Sequence, residues 1–141
     1  MRLLRPRKLW LLPVLLAACL LVSGCGAKES AQTRVTVDGR DWDGGSISPE
    51  DGDLRVYITR DGKPLLDLPF GEAHTVQVLQ PGVGENTVEI TGDAVYMAHA
   101  DCENQDCVRM GAVTRDNLEL RVMGGFIVCL PHKISVEVRG D

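Results

Sequence analysis

GGFIVCLPHKISVEVR, residues 124–139, sets two β-like runs, FIVCL (126–130) and KISVEVR (133–139), on either side of Pro131 and His132. In the second run Ile134, Val136 and Val138 alternate with polar residues, the period-two pattern of a strand with one face buried. Working outward, RVTVD (34–38), LRVYITR (54–60), TVQVLQ (75–80), NTVEIT (86–91) and LELRV (118–122) alternate or are rich in β-branched residues. Asp61-Gly62 and Gly124-Gly125 each stand between such runs, where two-residue hairpin loops fit. DGRDWDGGSISPEDGD (38–53) is too polar and glycine-rich for a strand and reads as a surface loop. No stretch sustains a 3.6-residue period, so any helix is short. The pattern predicts an all-β fold, a small sandwich or barrel of about seven or more short strands, without internal repeats.

The start of the chain has another character. Arg2, Arg5, Arg7 and Lys8 open it, no acid precedes Glu29, and the apolar run from Leu9 to Val22 is broken only by Pro13. That run is short for a membrane span of about 20 residues and suits the middle of a signal peptide. It ends in LVSGC (21–25), which resembles the lipobox of bacterial lipoproteins. The resemblance implies that the Cys25 sulfur carries a diacylglycerol and that residues 1–24, with Cys19, are cut away. The plainer alternative is an ordinary signal peptide with an incidental cysteine, or an uncleaved anchor. On the lipoprotein reading, residues 1–24 are the signal peptide, 25–33 the lipidated cysteine and a small polar tether, and 34–141 one β domain. The protein is then expected at the cell membrane, lipid-anchored and facing outside the cytoplasm.

Removing the leader changes the charge. The whole chain is formally −5, and residues 1–24 hold four of its 15 basic residues and none of its 20 acids. The remainder carries 11 basic and 20 acidic residues, a net −9. Such a domain repels phosphate, so nucleic acid is not an expected partner. It also stands off anionic lipid, leaving the acyl chains to anchor it. Aromatics are sparse past the leader, which argues against sugar-stacking and base-stacking surfaces. Trp42, in the acidic loop, is expected to cover a core edge, or else to belong to a binding surface.

The chemistry available is that of three thiols. ADCENQDCV (100–108) holds Cys102 and Cys107, and Cys129 stands three residues before His132. Outside the cytoplasm a disulfide is a common staple of small β domains. Chain entropy gives about 2 kcal/mol for closing Cys102 to Cys107 and about 3.5 kcal/mol for tying either to Cys129, which favours the longer link. Ile127 and Pro131 are expected to share the face of Cys129. Alternatively, Cys102, Cys107, Cys129 and His132 offer a Cys3His zinc set, with His99 as a spare. The third reading is buried thiols that pack as small apolar groups. Asp101, Glu103 and Asp106 beside the first two thiols would raise their pKa values and disfavour a fast oxidoreductase.

MAHADCENQDCVRMGAV (97–113) followed by GGFIVCLPHKISVEV (124–138) resembles the family known as NusG domain II. Cys102, Cys107, Val108, Gly111, Ile127, Val128, Cys129, Leu130, Pro131 and His132 fall on the pattern of that family. In some bacteria the domain is inserted into the transcription factor NusG, whose polymerase-contacting parts have no matching sequence here. The resemblance implies a stand-alone, membrane-tethered member, in a setting associated with flavin-based electron export. Catalytic motifs such as Gly-x-Ser-x-Gly or His-Glu-x-x-His do not occur, and Ser46 and Ser48 have only His74 as a conceivable partner. The expectation is a non-enzymatic lipoprotein without a cofactor, bound to the membrane through Cys25 and to an envelope protein through its β surface. The alternative is a small redox or metal protein, holding zinc or iron with Cys102, Cys107, Cys129 and His132.

Overall fold

The structure is a computed structural model that describes residues 32–45 and 54–140. Cys19, Cys25, Ser46 and Ser48 lie outside the described residues, as do the leader and most of the tether. In chain order the strands are β1 (Arg34–Val37), β2 (Arg40–Asp41), β3 (Arg55–Arg60), β4 (Lys63–Pro69), β5 (Ala73–Gln80), β6 (Gly84–Thr91) and β7 (Ala94–Ala100). A single helical turn, α1 (Asp106–Arg109), precedes β8 (Val113–Thr114), β9 (Phe126–Cys129) and β10 (Ile134–Arg139). One antiparallel sheet runs β2-β1-β5-β6-β7-β8 and the other runs β4-β3-β10-β9. Neither closes on itself, so the sandwich stands and the barrel does not.

Alternation along each strand builds the core. In the second sheet, Leu66, Ile58, Val136 and Ile127 sit side by side across four strands, all buried. In the first, Val37, Val76, Val88 and Met97 form the corresponding row. Both rows belong to one apolar cluster, each full side-chain burial contributing about 1.5–3 kcal/mol. Trp42 packs against the margin of that cluster, as expected, and also lines a cleft of about 290 Å3 with Tyr57, Pro64 and Leu65.

Asp61 and Gly62, at φ 51° and 74°, turn β3 into β4 as the two-residue hairpin loop expected there. A similar turn at Asp38-Gly39 pairs β1 with the two residues of β2, inside the segment read as loop. Besides the two-residue β2 and β8, two longer strands escaped the pattern. Pro64 and Pro69 disguise β4, which tolerates them because it lies at the edge of its sheet. In β7 the register shifts at Thr87/Val88, leaving Ala98 and His99 both exposed and breaking the alternation.

LELRV (118–122) is not a strand, and Gly124-Gly125 is not a two-residue hairpin loop. Residues 115–125 form consecutive turns, with Leu120 and Arg121 both donating their N–H to the Asn117 carbonyl. The Asn117 side chain accepts from Thr114 N–H and donates to the Ala112 carbonyl. Arg121 reaches the carbonyls of Gly124, Met110 and Ala112, at 3.0, 3.1 and 2.9 Å. Backbone turns thus serve the Leu120 and Arg121 N–H groups and the Arg121 carbonyl that a strand pairing would otherwise serve, while the Asn117 and Arg121 side chains tie the arm to the backbone around it. Gly125 ends the arm where its carbonyl accepts the Val138 N–H at 2.9 Å. A Cβ at Gly125 would stand 2.1 Å from the Val138 carbonyl oxygen, so only glycine permits this approach.

Gly125→Ala is therefore expected to lower stability by about 1–3 kcal/mol in urea denaturation, from overpacking against backbone that cannot yield. Gly140→Ala, where a Cβ meets nothing within 4 Å, should stay within about 0.5 kcal/mol of the parent.

Candidate functional site

The three thiols reach one point from three elements. Cys102 follows the end of β7, Cys107 projects from α1, and Cys129 is the last residue of β9. Gln105 turns the chain between the first two at φ 52°, a left-handed conformation that a side chain adopts only at a cost. Its side-chain amide offsets that cost by donating to the carbonyls of Ala100, at 2.6 Å, and Cys102. All three cysteines are buried, Cys102 at 5% exposure and the others at 1%. Cys102 Sγ and Cys107 Sγ are 3.8 Å apart, and the three sulfurs lie within 4.8 Å of one another.

A disulfide holds its sulfurs at about 2.05 Å. None is formed among the three, so both the short link and the longer link to Cys129 give way to free thiols. Ile127 shares the buried face of Cys129, whereas Pro131 lies past the end of the strand and is exposed. Burial pushes the Cys107 thiol up to about 12, with contacts to Cys129 and Cys102 adding to the rise. The direction is the one expected from the sequence, but the carboxylates are not its source. Asp101, Glu103 and Asp106 are all exposed.

His132 does not join the thiols. It is buried, with Nδ1 2.8 Å from Asn86 Oδ1 and Nε2 3.3 Å from Asp101 Oδ1. Its carbonyl accepts a 3.0 Å bond from Gln80 Nε2, and Asp101 Oδ1 also accepts the Glu85 N–H at 2.8 Å. The turn after β9, closed by Lys133 at φ 56°, carries the ring to the opposite sheet. Gly84 leaves room for it, because a Cβ there would stand 2.4 Å from Nε2. The Cys3His set is thus corrected to three cysteines among the described residues. His99 stands apart too, at the surface against Glu85.

His74 meets carboxylates, with Nδ1 2.9 Å from Asp38 Oδ2. That bond, with the Thr75 N–H, holds the Asp38 carboxyl below its ordinary value. The Gln80–Asn86–His132 network was the part sequence reasoning missed. Its signal was present in NTVEIT, where Asn86 shares the inward phase of Val88 and Ile90 and needs a buried partner.

The family model described as NusG domain II matches residues 11–141. No curated protein matches the chain. Among solved structures, the Lin0431 protein from Listeria innocua is 24% identical, with a TM-score of 0.52 over 62% of this chain and 97% of that one. A DUF1312 family protein from Enterococcus faecalis is 21% identical, with a TM-score of 0.52 over 61% of this chain and 95% of its own. At these identities the two share the fold with this chain, and nothing further is carried over.

Two outcomes test this geometry. His132→Ala strands the buried Asn86 Oδ1 and is expected to cost about 1–3 kcal/mol, read by thermal or urea unfolding. Cys107 has a folded pKa raised from 9.0 to about 12, so its stabilising contribution is complete below pH 9 and lost as pH rises towards 12. Unfolding measured between about pH 8 and pH 11 should show a loss of stability that Cys107→Ala flattens.

Proposed function

The chain belongs to the NusG domain II family, and for this member we propose the role of a lipid-anchored module outside the cytoplasm that docks an envelope protein without catalysing a reaction. The leader and LVSGC motif support the anchor, with Cys25 as the lipidated residue. The observation that carries docking is the arm at residues 115–125. Its Asn117 and Arg121 side chains turn inward to bond backbone carbonyls, while Leu120, Val122 and Met123 face solvent, Leu120 at 83% exposure. Phe126 and Leu130, at the start and just past the end of β9, are exposed as well. Apolar side chains concentrated in this way mark an interaction surface more often than chance exposure does.

The partner chemistry follows from the charge. A domain of net −9 beyond the leader suits an apolar contact rimmed by basic residues, and it disfavours nucleic acid. The family resemblance makes a membrane complex of flavin-based electron export the first partner to try. A small redox or metal protein is the competing reading, and it would use the three thiols without His132.

Cys25→Ala should move the protein from the membrane fraction to the soluble one and abolish labelling by a fatty-acid analogue. Leu120→Asp combined with Val122→Asp should leave stability within about 0.5 kcal/mol, because neither side chain is packed. The same pair should reduce recovery of the cross-linked envelope partner at least about tenfold. Equal recovery from parent and variant would remove the docking assignment and leave the anchor untouched.

A further inference from the structure

We propose that Cys102, Cys107 and Cys129 form a binding site for one cuprous ion, held by three thiolate sulfurs and no other side chain. A metal–thiolate bond of about 2.3 Å places three sulfurs in a trigonal plane about 4.0 Å apart. The sulfurs here lie 3.8 Å apart for Cys102 and Cys107 and within 4.8 Å throughout, so enclosing one ion requires movements of less than about 1 Å. They come from a strand end, a helical turn and a loop, and Gln105 spends a left-handed backbone conformation to bring the first two together. A core packing of aliphatic groups would need no such arrangement.

The donor set selects the ion. Among the described residues the group contains no imidazole or carboxylate, since His132 is engaged by Asn86 and Asp101. Zinc in a closed site takes four ligands, and with three protein ligands it keeps a water in an open position. At 5% and 1% exposure the cysteines sit below the surface, which leaves little place for that water. Three soft sulfurs suit a monovalent ion that prefers low coordination. Each ligated thiol gives up one proton, so three protons leave as one ion enters, and copper keeps its oxidation state. The site does not depend on the docking role.

The test titrates the reduced full-length protein, in detergent and without oxygen, with cuprous copper supplied from a chromogenic chelator. One equivalent should be withdrawn per chain, with affinity rising as pH rises and a sulfur-only first shell at about 2.3 Å in X-ray absorption. Cys102→Ser and Cys129→Ser should each weaken binding at least about 100-fold, since losing a ligand costs no less than losing its outer-shell support. Parent and variants differ only at the substituted cysteine, whatever becomes of Cys19 and Cys25, so the difference belongs to the buried group. Unchanged copper binding in the variants, nitrogen or oxygen in the first shell, or zinc held more tightly than copper would each overturn the proposal. The first-shell composition of the unsubstituted protein decides the question even where a variant fails to fold.

Discussion

His132 Nδ1 and Asn86 Oδ1 stand 2.8 Å apart where the turn between β9 and β10 meets the inner face of the other sheet. A buried imidazole facing a buried amide is costly unless both are paired, so this contact admits one placement of the turn and penalises the rest. Gln80 adds a second bond from the same sheet to the His132 carbonyl, and Gly84 supplies the gap into which the ring fits. Apolar packing between the sheets is non-directional and would tolerate a sliding of one against the other. The polar clasp removes that freedom. Because β9 ends in Cys129 just before the clasped turn, the position of that sulfur over α1 follows from the same constraint.

Much of the fold was legible because a half-buried strand writes its phase directly into the sequence. KISVEVR and LRVYITR place Ile134, Val136 and Val138 opposite the corresponding residues of β3, and both runs read correctly. The errors arose where another requirement overrode the alternation. LELRV alternates as well as any real strand, yet its backbone closes turns on the Asn117 carbonyl, the Arg121 side chain bonds the Ala112 carbonyl, and Leu120 and Val122 remain in solvent. In β4 Pro64 and Pro69 interrupt the alternation, and an edge position tolerates them. In β7 a bulge rotates Ala98 and His99 out of phase, and no local sequence feature announces it.

At the candidate site, sequence spacing found the three thiols and then chose the wrong fourth member. Cys129 and His132 are separated by two residues, a distance typical of zinc ligand pairs, but spacing constrains direction only when the backbone between is regular. Here β9 ends at Cys129 and residues 130–133 form a turn closed by the Lys133 N–H on the Leu130 carbonyl, so the imidazole faces the opposite sheet. For Cys107 the predicted rise in thiol pKa was right in direction for the wrong reason. Burial, first, and the neighbouring sulfurs keep Cys107 protonated. That environment disfavours a free thiolate and hence a nucleophile, whereas a metal ion supplies the positive charge that deprotonates such a group.

The thiols and the exposed arm share a frame. Met110 caps α1, its sulfur accepts the Val128 N–H beside Cys129, and its carbonyl accepts from the Arg121 guanidinium at the heart of the arm. Arg121 therefore fixes the segment that presents Leu120 and Val122 and, through Met110, touches the helical turn that carries Cys107. A rigid connection of this kind lets packing at the sulfurs set the geometry of a surface residues away, because a packed core transmits displacement instead of absorbing it.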